Sequence, residues 1–282
     1  MTPPVVLVAG SGVPAAGVST QLATLATRTR TGVLNTFCAK GLFRFDDPAH
    51  LGTIGLQRDD LALAGVDTPR GARVVAVGVD DAEIPGGIPS HWERVDPHDL
   101  DGLGLPVNEV FAPRPELYGA LAAVCGPRYG DDSVPLSPAR AAGDLAASLP
   151  DGAVVAANAG LVGFWLGRTF PTRRPGSVRL PVRATDDVVG EVLGRADAST
   201  AVVVVCGVGD PVPDVGARRG SVVVEHWSPS GPQMSAHERV RRLDEAWRCG
   251  GVHHLEVGVA LEDIGELVAV AGPVAAWGLA LG

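Results

Sequence analysis

Residues 32–56 have the sequence GVLNTFCAKGLFRFDDPAHLGTIGL, and the fold is best worked out from this stretch. An apolar run at 31–37 has the pattern of a buried strand. The rest is rich in glycine and turn residues, with Lys40 between two small residues and an acidic turn at Asp46–Pro48. Glycine, proline and aspartate punctuate loops. The stretch therefore predicts a strand that leads into a long structured turn.

Strand and helix patterns alternate outward from this stretch. The preceding segment PVVLVAG is apolar and closes on Gly10-Ser11-Gly12. Strands are predicted at 4–10, 31–37, 72–79 and 91–96, and helices at 15–28, 57–64 and 116–124. Strands that alternate with helices indicate a parallel, doubly wound sheet.

A second series of the same kind follows a segment rich in glycine, proline and acidic residues. Helices are predicted at 138–148, 236–249 and 262–271, and strands at 153–157, 201–207, 221–225, 254–257 and 274–281. The predicted fold class is α/β, with two doubly wound, Rossmann-like parallel-sheet domains. We place the first domain at 1–126, a linker at 127–138 and the second domain at 139–282.

Composition and charge exclude several classes of partner. The chain has 282 residues, of which 46% are hydrophobic, and a net charge of −9. Lys and Arg are scattered, whereas a nucleic-acid surface needs a basic stripe, so we expect no nucleic-acid partner. The uncharged run at 267–282 is too short to cross a bilayer and contains Gly272-Pro273, so we expect no membrane partner. The start has no basic leader, and the four cysteines form no CxxC motif, which predicts reduced thiols in the cytoplasm.

The stretch at 32–56 resembles the central domain of thiamine-diphosphate-dependent enzymes of the acetolactate synthase and benzoylformate decarboxylase type. The likeness rests on a threonine after a strand, a GKG-like turn, an acidic-proline turn and a GxxG segment. In this sequence these are Thr36, Ala39–Gly41, Asp46–Pro48 and Gly52–Gly55. Farther along, LPDGAVVAANAGLVGFW at 149–165 and LDEAWRCGGVHHLEV at 243–257 resemble the diphosphate-binding domain of the same enzymes.

The resemblance implies two cofactor-binding elements that this sequence lacks or alters. Members of the family have a preceding pyrimidine-binding domain with a catalytic glutamate, and this chain starts where their second domain starts. We therefore expect neither that domain nor any catalytic residue here. Members also hold the diphosphate through Mg²⁺ with a GDG motif and a later pair of asparagines. The corresponding positions here are GVGDP at 207–211 and Glu225-His226-Trp227.

These altered positions predict a degenerate cofactor site from which the magnesium site is lost. Mg²⁺ requires oxygen ligands in near-octahedral order, and imidazole is a poor ligand for it. Pro211 also removes a backbone donor, and Trp227 is bulky where a diphosphate would pass. We expect no cofactor on the isolated chain, the alternative being thiamine diphosphate with Mg²⁺. Asp210, Glu225 and His226 remain candidates for an unusual metal site, since ligands of doubly wound sheets bind at strand ends.

The first domain offers a second candidate site. Backbone N–H groups of Gly10, Ser11 and Gly12 can hold a phosphate at the start of a helix, and Lys40 can contact a phosphate or a carboxylate. In relatives the central domain binds FAD or an adenine nucleotide in some members, so FAD or ADP is a further alternative cofactor. The competing interpretation is a tight turn at Gly10–Gly12 and a cationic residue on a packing surface at Lys40.

Three functional hypotheses follow. The first is a catalytically deficient relative of thiamine-diphosphate enzymes that acts as a binding or partner subunit, as a homodimer or with a separate pyrimidine-domain subunit. The second is one subunit of a split thiamine-diphosphate-dependent lyase or synthase that a pyrimidine-domain chain completes. The third is a module that binds FAD or an adenine nucleotide.

Overall fold

The computed structural model describes residues 4–69, 72–216 and 220–279 of the chain. These residues divide into two compact units. Unit 1 comprises Met1–Ala123 together with Gly265–Gly282, and unit 2 comprises Val124–Ile264. Each unit is built on its own five-stranded sheet.

The sheet of unit 1 has the strand order β3-β2-β1-β4-β5, and all its pairings among the described residues are parallel. Its strands are β1 (Val5–Ala9), β2 (Gly32–Thr36), β3 (His50–Ile54), β4 (Arg73–Val77) and β5 (Glu93–Val95). Its helices are α1 (Gly12–Ala15), α2 (Ser19–Thr29), α3 (Asp60–Leu63) and α4 (Glu116–Cys125), the last of which crosses the boundary between the units. All residues of β1, β2 and β3 are buried, as expected for strands covered on both faces.

The sheet of unit 2 has the order β10-β9-β8-β6-β7 and is also parallel in its described pairings. Its strands are β6 (Val154–Ala156), β7 (Val178–Arg179), β8 (Val202–Cys206), β9 (Val222–Ser228) and β10 (Val252–Gly258). Its helices are α5 (Pro138–Ser148), α6 (Leu161–Thr169), α7 (Val188–Arg195) and α8 (Ala236–Cys249). The two sheets confirm the predicted α/β class with two Rossmann-like domains.

Capping residues explain why the two longest helices of unit 2 begin where the sequence predicts, and why the second of them ends there. The hydroxyl of Ser137 accepts a hydrogen bond from the N–H of Arg140 at 3.1 Å, and Pro138 occupies the first turn of α5. The hydroxyl of Ser235 accepts one from the N–H of Glu238 at the start of α8. Gly250 ends α8 with a φ of 66°, a value that favours glycine.

The C-terminal segment differs from the predicted domain division. We assigned residues 139–282 to the second domain, whereas α9 (Gly265–Ala271) and the described residues after it, 272–279, belong to unit 1. The buried side-chain amide of Gln57 donates to the carbonyls of Leu267 at 2.9 Å and Gly272 at 2.6 Å. Ala271 lies in the same apolar cluster as residues of the first sheet. These long-range contacts cannot be read from local sequence patterns.

The strand predicted at 274–281 is wrong over its described part. Val274 forms an isolated antiparallel bridge with Gln57, and Ala276–Gly278 form a 3-10 helix. Trp277 has a positive φ of 56° and packs edge-on against Phe37, with ring centroids 5.0 Å apart. The aromatic contact explains why the chain turns here although the sequence is apolar enough for a strand. The last residues of the prediction lie outside the described residues.

Among the helices of the described ranges, none combines the length and the apolar character that a membrane-crossing helix requires.

Candidate functional site

The turn at Gly10-Ser11-Gly12 lies at the carboxyl edge of the first sheet and packs closely against the loop after β4. The N–H of Gly10 donates to the carbonyl of Val77 at 2.9 Å, and that of Gly12 to Gly78 at 2.8 Å. A Cβ at Gly10 would lie 2.4 Å from the carbonyl oxygen of Gly78. The two glycines are therefore needed for the close approach of two backbones.

The N–H and hydroxyl of Ser11 are both occupied by a carboxylate from the same unit. The N–H lies 3.1 Å from each oxygen of Glu83, and the hydroxyl donates to Oε1 at 2.5 Å. The hydroxyl of Thr36 donates to Oε2, and the N–H of Asp80 donates to Oε1 at 3.2 Å. Glu83 is fully buried. Burial raises the pKa of this carboxyl above its ordinary value, and the hydrogen bonds oppose that shift.

Glu83 was not among the residues predicted from the sequence, although the sequence around it contains a recognisable capping pattern. Asp80 and Glu83 stand three residues apart after a buried strand, which is the spacing of a capping box. Here the side chain of Glu83 also reaches Ser11 and Thr36. In the predicted phosphate-binding turn, the N–H and hydroxyl of Ser11 are thus engaged by the carboxylate of Glu83, and the N–H groups of Gly10 and Gly12 by backbone carbonyls.

Lys40 follows a short 3-10 helix, Phe37–Ala39, and its N–H donates to the carbonyl of Phe37. Its positive charge acts on His50, the first residue of β3, whose side chain is buried. Nε2 of His50 lies 2.7 Å from Oδ1 of Asn35, and Nδ1 is buried with no hydrogen-bond partner among the described residues. Burial, then the charges of Lys40 and Arg114, lower the pKa of His50 to about 4. The structure therefore places Lys40 beside a neutral buried histidine of the core.

We expect His50 to make folding sensitive to acid. Because its pKa is about 4 in the folded state and about 6.5 unfolded, the unfolded state binds more protons between these values. The free energy of unfolding should fall as pH drops from 6.5 to 4, with about 3 kcal/mol from this residue. Denaturant titrations of the wild type and of His50→Gln across this range measure the effect. A variant that loses stability as steeply as the wild type would contradict it.

The second candidate site lies at the carboxyl edge of the sheet in unit 2. β6 lies between β7 on one side and β8 on the other, so the chain adds strands to both sides of β6. Doubly wound sheets bind ligands at such a switch point. The loop after β8 meets the first turn of α6 there, since a Cβ at Gly207 would lie 3.1 Å from Cγ2 of Val162.

Polar side chains at this edge are mostly engaged by the backbone. Oδ2 of Asp210 accepts a hydrogen bond from the N–H of Gly207 at 2.6 Å. The amide of Asn158 donates to Asp187 at 3.1 Å and accepts from the N–H of Val189 at 3.1 Å. Asp187 in turn caps α7 through the N–H of Gly190. Burial, followed by the charge of Asp210, raises the pKa of the adjacent Cys206 thiol to about 11, so this thiol stays protonated at neutral pH.

Glu225 and Arg239 form a fully buried ion pair in unit 2. Nε of Arg239 lies 2.9 Å from Oε1 of Glu225, and Nη2 lies 2.5 Å from Oε2. The indole N–H of Trp227 donates to Oε2 at 2.8 Å, and Nη1 of Arg239 donates to the carbonyl of Ala141 at 2.7 Å. Both oxygens of Glu225 are therefore engaged by Arg239 of α8, one of them also by Trp227 of β9, and Arg239 ties the pair to α5, so neither oxygen is directed to a metal ion.

The three candidate metal ligands, Asp210, Glu225 and His226, are not directed toward one point. Glu225 is directed to Arg239, while His226 follows it on β9 and pairs in register with Cys206. Adjacent residues of a strand point to opposite faces. In the ranges that the structure describes, no three His, Cys, Asp or Glu side chains are grouped to hold a metal ion.

The hydrogen bonds at this edge of the second sheet decide whether its side chains can hold Mg²⁺ and a diphosphate. The ion needs several oxygen ligands in near-octahedral order. At this edge Asp210 has one oxygen tied to the backbone, Glu225 has both tied to Arg239, and the amide oxygen of Asn158 is tied to Val189. The residues present at this edge therefore do not fit a magnesium diphosphate.

Comparisons with known proteins agree with this architecture. Residues 3–83 match the family model described as thiamine pyrophosphate enzyme, central domain. No curated protein sequence matches the chain. Among solved structures, the chain is similar to a thiamine diphosphate-dependent 4-hydroxybenzoylformate decarboxylase from Rhodococcus jostii, with 17% identity, a TM-score of 0.64 and coverage of 91% of this chain and 61% of that one.

A second solved structure gives the same result. Benzoylformate decarboxylase from Polynucleobacter necessarius has 13% identity and a TM-score of 0.64, with coverage of 92% of this chain and 62% of that one. This chain therefore spans about three fifths of the length of these structures. At such identities the likeness establishes a shared fold. The resemblance to thiamine-diphosphate-dependent enzymes that residues 32–56 indicated is thereby confirmed, by the central-domain match in the sequence and by the fold of the chain.

Proposed function

We propose that this chain is a thiamine-diphosphate-enzyme-like protein that is catalytically deficient on its own and acts as a binding or partner subunit. The observation that carries the proposal is the buried Glu225–Arg239 pair, because it uses for packing a carboxylate that the sequence offers as a metal ligand. The engagement of Asp210 and Asn158 by backbone groups supports the same conclusion.

The partner in this proposal is a second copy of the chain or a separate pyrimidine-domain subunit, in the cytoplasm. A split enzyme completed by such a subunit is the second candidate. It is supported by the match of residues 3–83 to the central domain of thiamine pyrophosphate enzymes and by the fold that the chain shares with two decarboxylases of that type. An FAD or adenine-nucleotide module is less well supported, because Glu83 already engages the donors of Ser11 and Thr36.

We expect thiamine diphosphate with Mg²⁺ to leave the thermal unfolding midpoint of the purified chain unchanged. A ligand at about 100 times its dissociation constant adds about 2.7 kcal/mol of stability, which a thermal scan detects readily. Mg²⁺ alone is the control, and FAD, ADP and coenzyme A complete the panel.

A saturable upward shift with thiamine diphosphate would contradict the proposal and favour the split enzyme. The variant Asp210→Asn would then show whether the shift depends on the edge of the second sheet. A shift with FAD or ADP alone would favour the nucleotide module. Light scattering over a range of concentrations tests the homodimer, which a constant monomer mass would exclude.

A further inference from the structure

The hydrogen bonds of Glu83 come from three neighbouring strand ends of the first sheet. Ser11 follows β1, Thr36 is the last residue of β2, and Asp80 lies in the loop after β4. These strands are adjacent in the order β2-β1-β4. The donors comprise two backbone N–H groups and two hydroxyls, which together form the Glu83 cradle.

The Glu83 cradle lies at the switch point of this sheet. From β1 the chain passes to β2 on one side, and β4 occupies the other side. A doubly wound sheet receives its ligand outside the carboxyl ends of the strands at this point. In this chain a side chain of the same unit occupies the position.

Backbone packing holds the carboxylate in the Glu83 cradle. A Cβ at Gly55 would lie 2.2 Å from the carbonyl oxygen of Glu83, and Gly55 has a φ of 91°. The segment that carries Glu83 is therefore seated directly on the turn after β3. A surface side chain that reached the carboxyl edge of the sheet by chance would not require this close approach between the backbones of Gly55 and Glu83.

The donors match the chemistry of a single carboxylate. Each oxygen of Glu83 receives a hydroxyl, and the N–H of Ser11 lies at 3.1 Å from both oxygens. Among the described residues its hydrogen-bond partners are all uncharged groups. Neutral donors in a dry site hold a monoanion more readily than a doubly charged phosphate, whose second charge would lack compensation.

We propose that Ser11, Thr36 and the N–H of Asp80 form a carboxylate-binding site whose resident occupant is the side chain of Glu83, and that the site accepts a free small carboxylate when that side chain is removed. The site is independent of the proposed function, because it lies in unit 1 and uses none of the residues at the edge of the second sheet.

The variant Glu83→Ala tests this directly, because it deletes a CH₂ and a carboxylate, which are the heavy atoms of acetate. We expect sodium acetate to raise the thermal midpoint of Glu83→Ala saturably by several degrees over sodium chloride of equal ionic strength. The wild type should show no such difference. Glu83→Gln should not respond either, since its side chain fills the site.

A further variant separates site binding from a general salt effect. In Glu83→Ala combined with Thr36→Val, one hydroxyl donor is missing, and we expect most of the acetate response to disappear. An acetate response of Glu83→Ala no larger than that of the wild type or of the double variant would overturn the proposal. If Glu83→Ala does not fold in chloride, refolding yield replaces the midpoint. Acetate should then restore soluble protein, and equal failure in both salts would overturn the proposal.

Discussion

Replacement of Arg239 by methionine is expected to destabilise the protein by about 3–5 kcal/mol. The side chain of Arg239 is fully buried, and the change leaves the carboxylate of Glu225 buried with the indole N–H of Trp227 as its one remaining hydrogen-bond donor among the described residues. An unpaired charge in a dry interior is one of the few causes of so large an effect. Denaturant titration of the wild type and the variant measures the loss.

Two further variants make this prediction specific to the buried pair. Arg241→Met removes an arginine from the same helix, but Arg241 pairs with Glu238 and Glu245 at the surface, so stability should hardly change. Arg239→Met combined with Glu225→Leu removes both charges and should recover much of the loss. Equal losses for Arg239→Met and Arg241→Met would show that the pair is not what stabilises unit 2.

Replacement of Gly55 by alanine should cost about 3–5 kcal/mol, from backbone strain and overlap together. The φ of 91° is unfavourable for any residue with a Cβ. The new methyl group would also lie 2.2 Å from the carbonyl oxygen of Glu83, and the backbone there cannot move without disturbing the Glu83 cradle. The drop in thermal midpoint measures the loss.

Gly65→Ala provides the matched control. Gly65 also has a positive φ, at 69°, but a Cβ there meets nothing within 4 Å. Only the strain of the left-handed conformation remains, which is about 1 kcal/mol. If the two alanine variants lost the same stability, the close contact between Gly55 and Glu83 would have no energetic weight.

Local patterns in the sequence were sufficient to predict the two sheets. Runs such as VVLVA at 5–9 and VVVVC at 202–206 are short and rich in valine, which favours a buried strand over a helix, and the helices between such runs indicate a parallel arrangement. The boundaries of α5 and α8 were also predictable, since serine caps precede both. The two-residue strand Val178–Arg179 was not predicted, because two residues carry no period.

The hydrogen-bond partners of the carboxylates Glu83 and Glu225 were harder to predict, because these partners are distant in sequence. Glu225 was an obvious candidate for a metal ligand until its partner was known, and that partner is fourteen positions later on another element. Glu83 is separated from Ser11 by 72 positions. The sequence shows that a carboxylate stands after a strand, but the group that satisfies it is decided by tertiary packing.

The return of the C-terminal segment to unit 1 has a consequence for biosynthesis. Gln57 makes hydrogen bonds to backbone groups 210 and 215 positions away, and α9 contributes to the apolar cluster of the first sheet. A ribosome releases the segment Val124–Ile264 before it releases α9, so unit 2 can fold as an uninterrupted piece while unit 1 still lacks part of its core. The unit that is translated first is thus the one that is completed last.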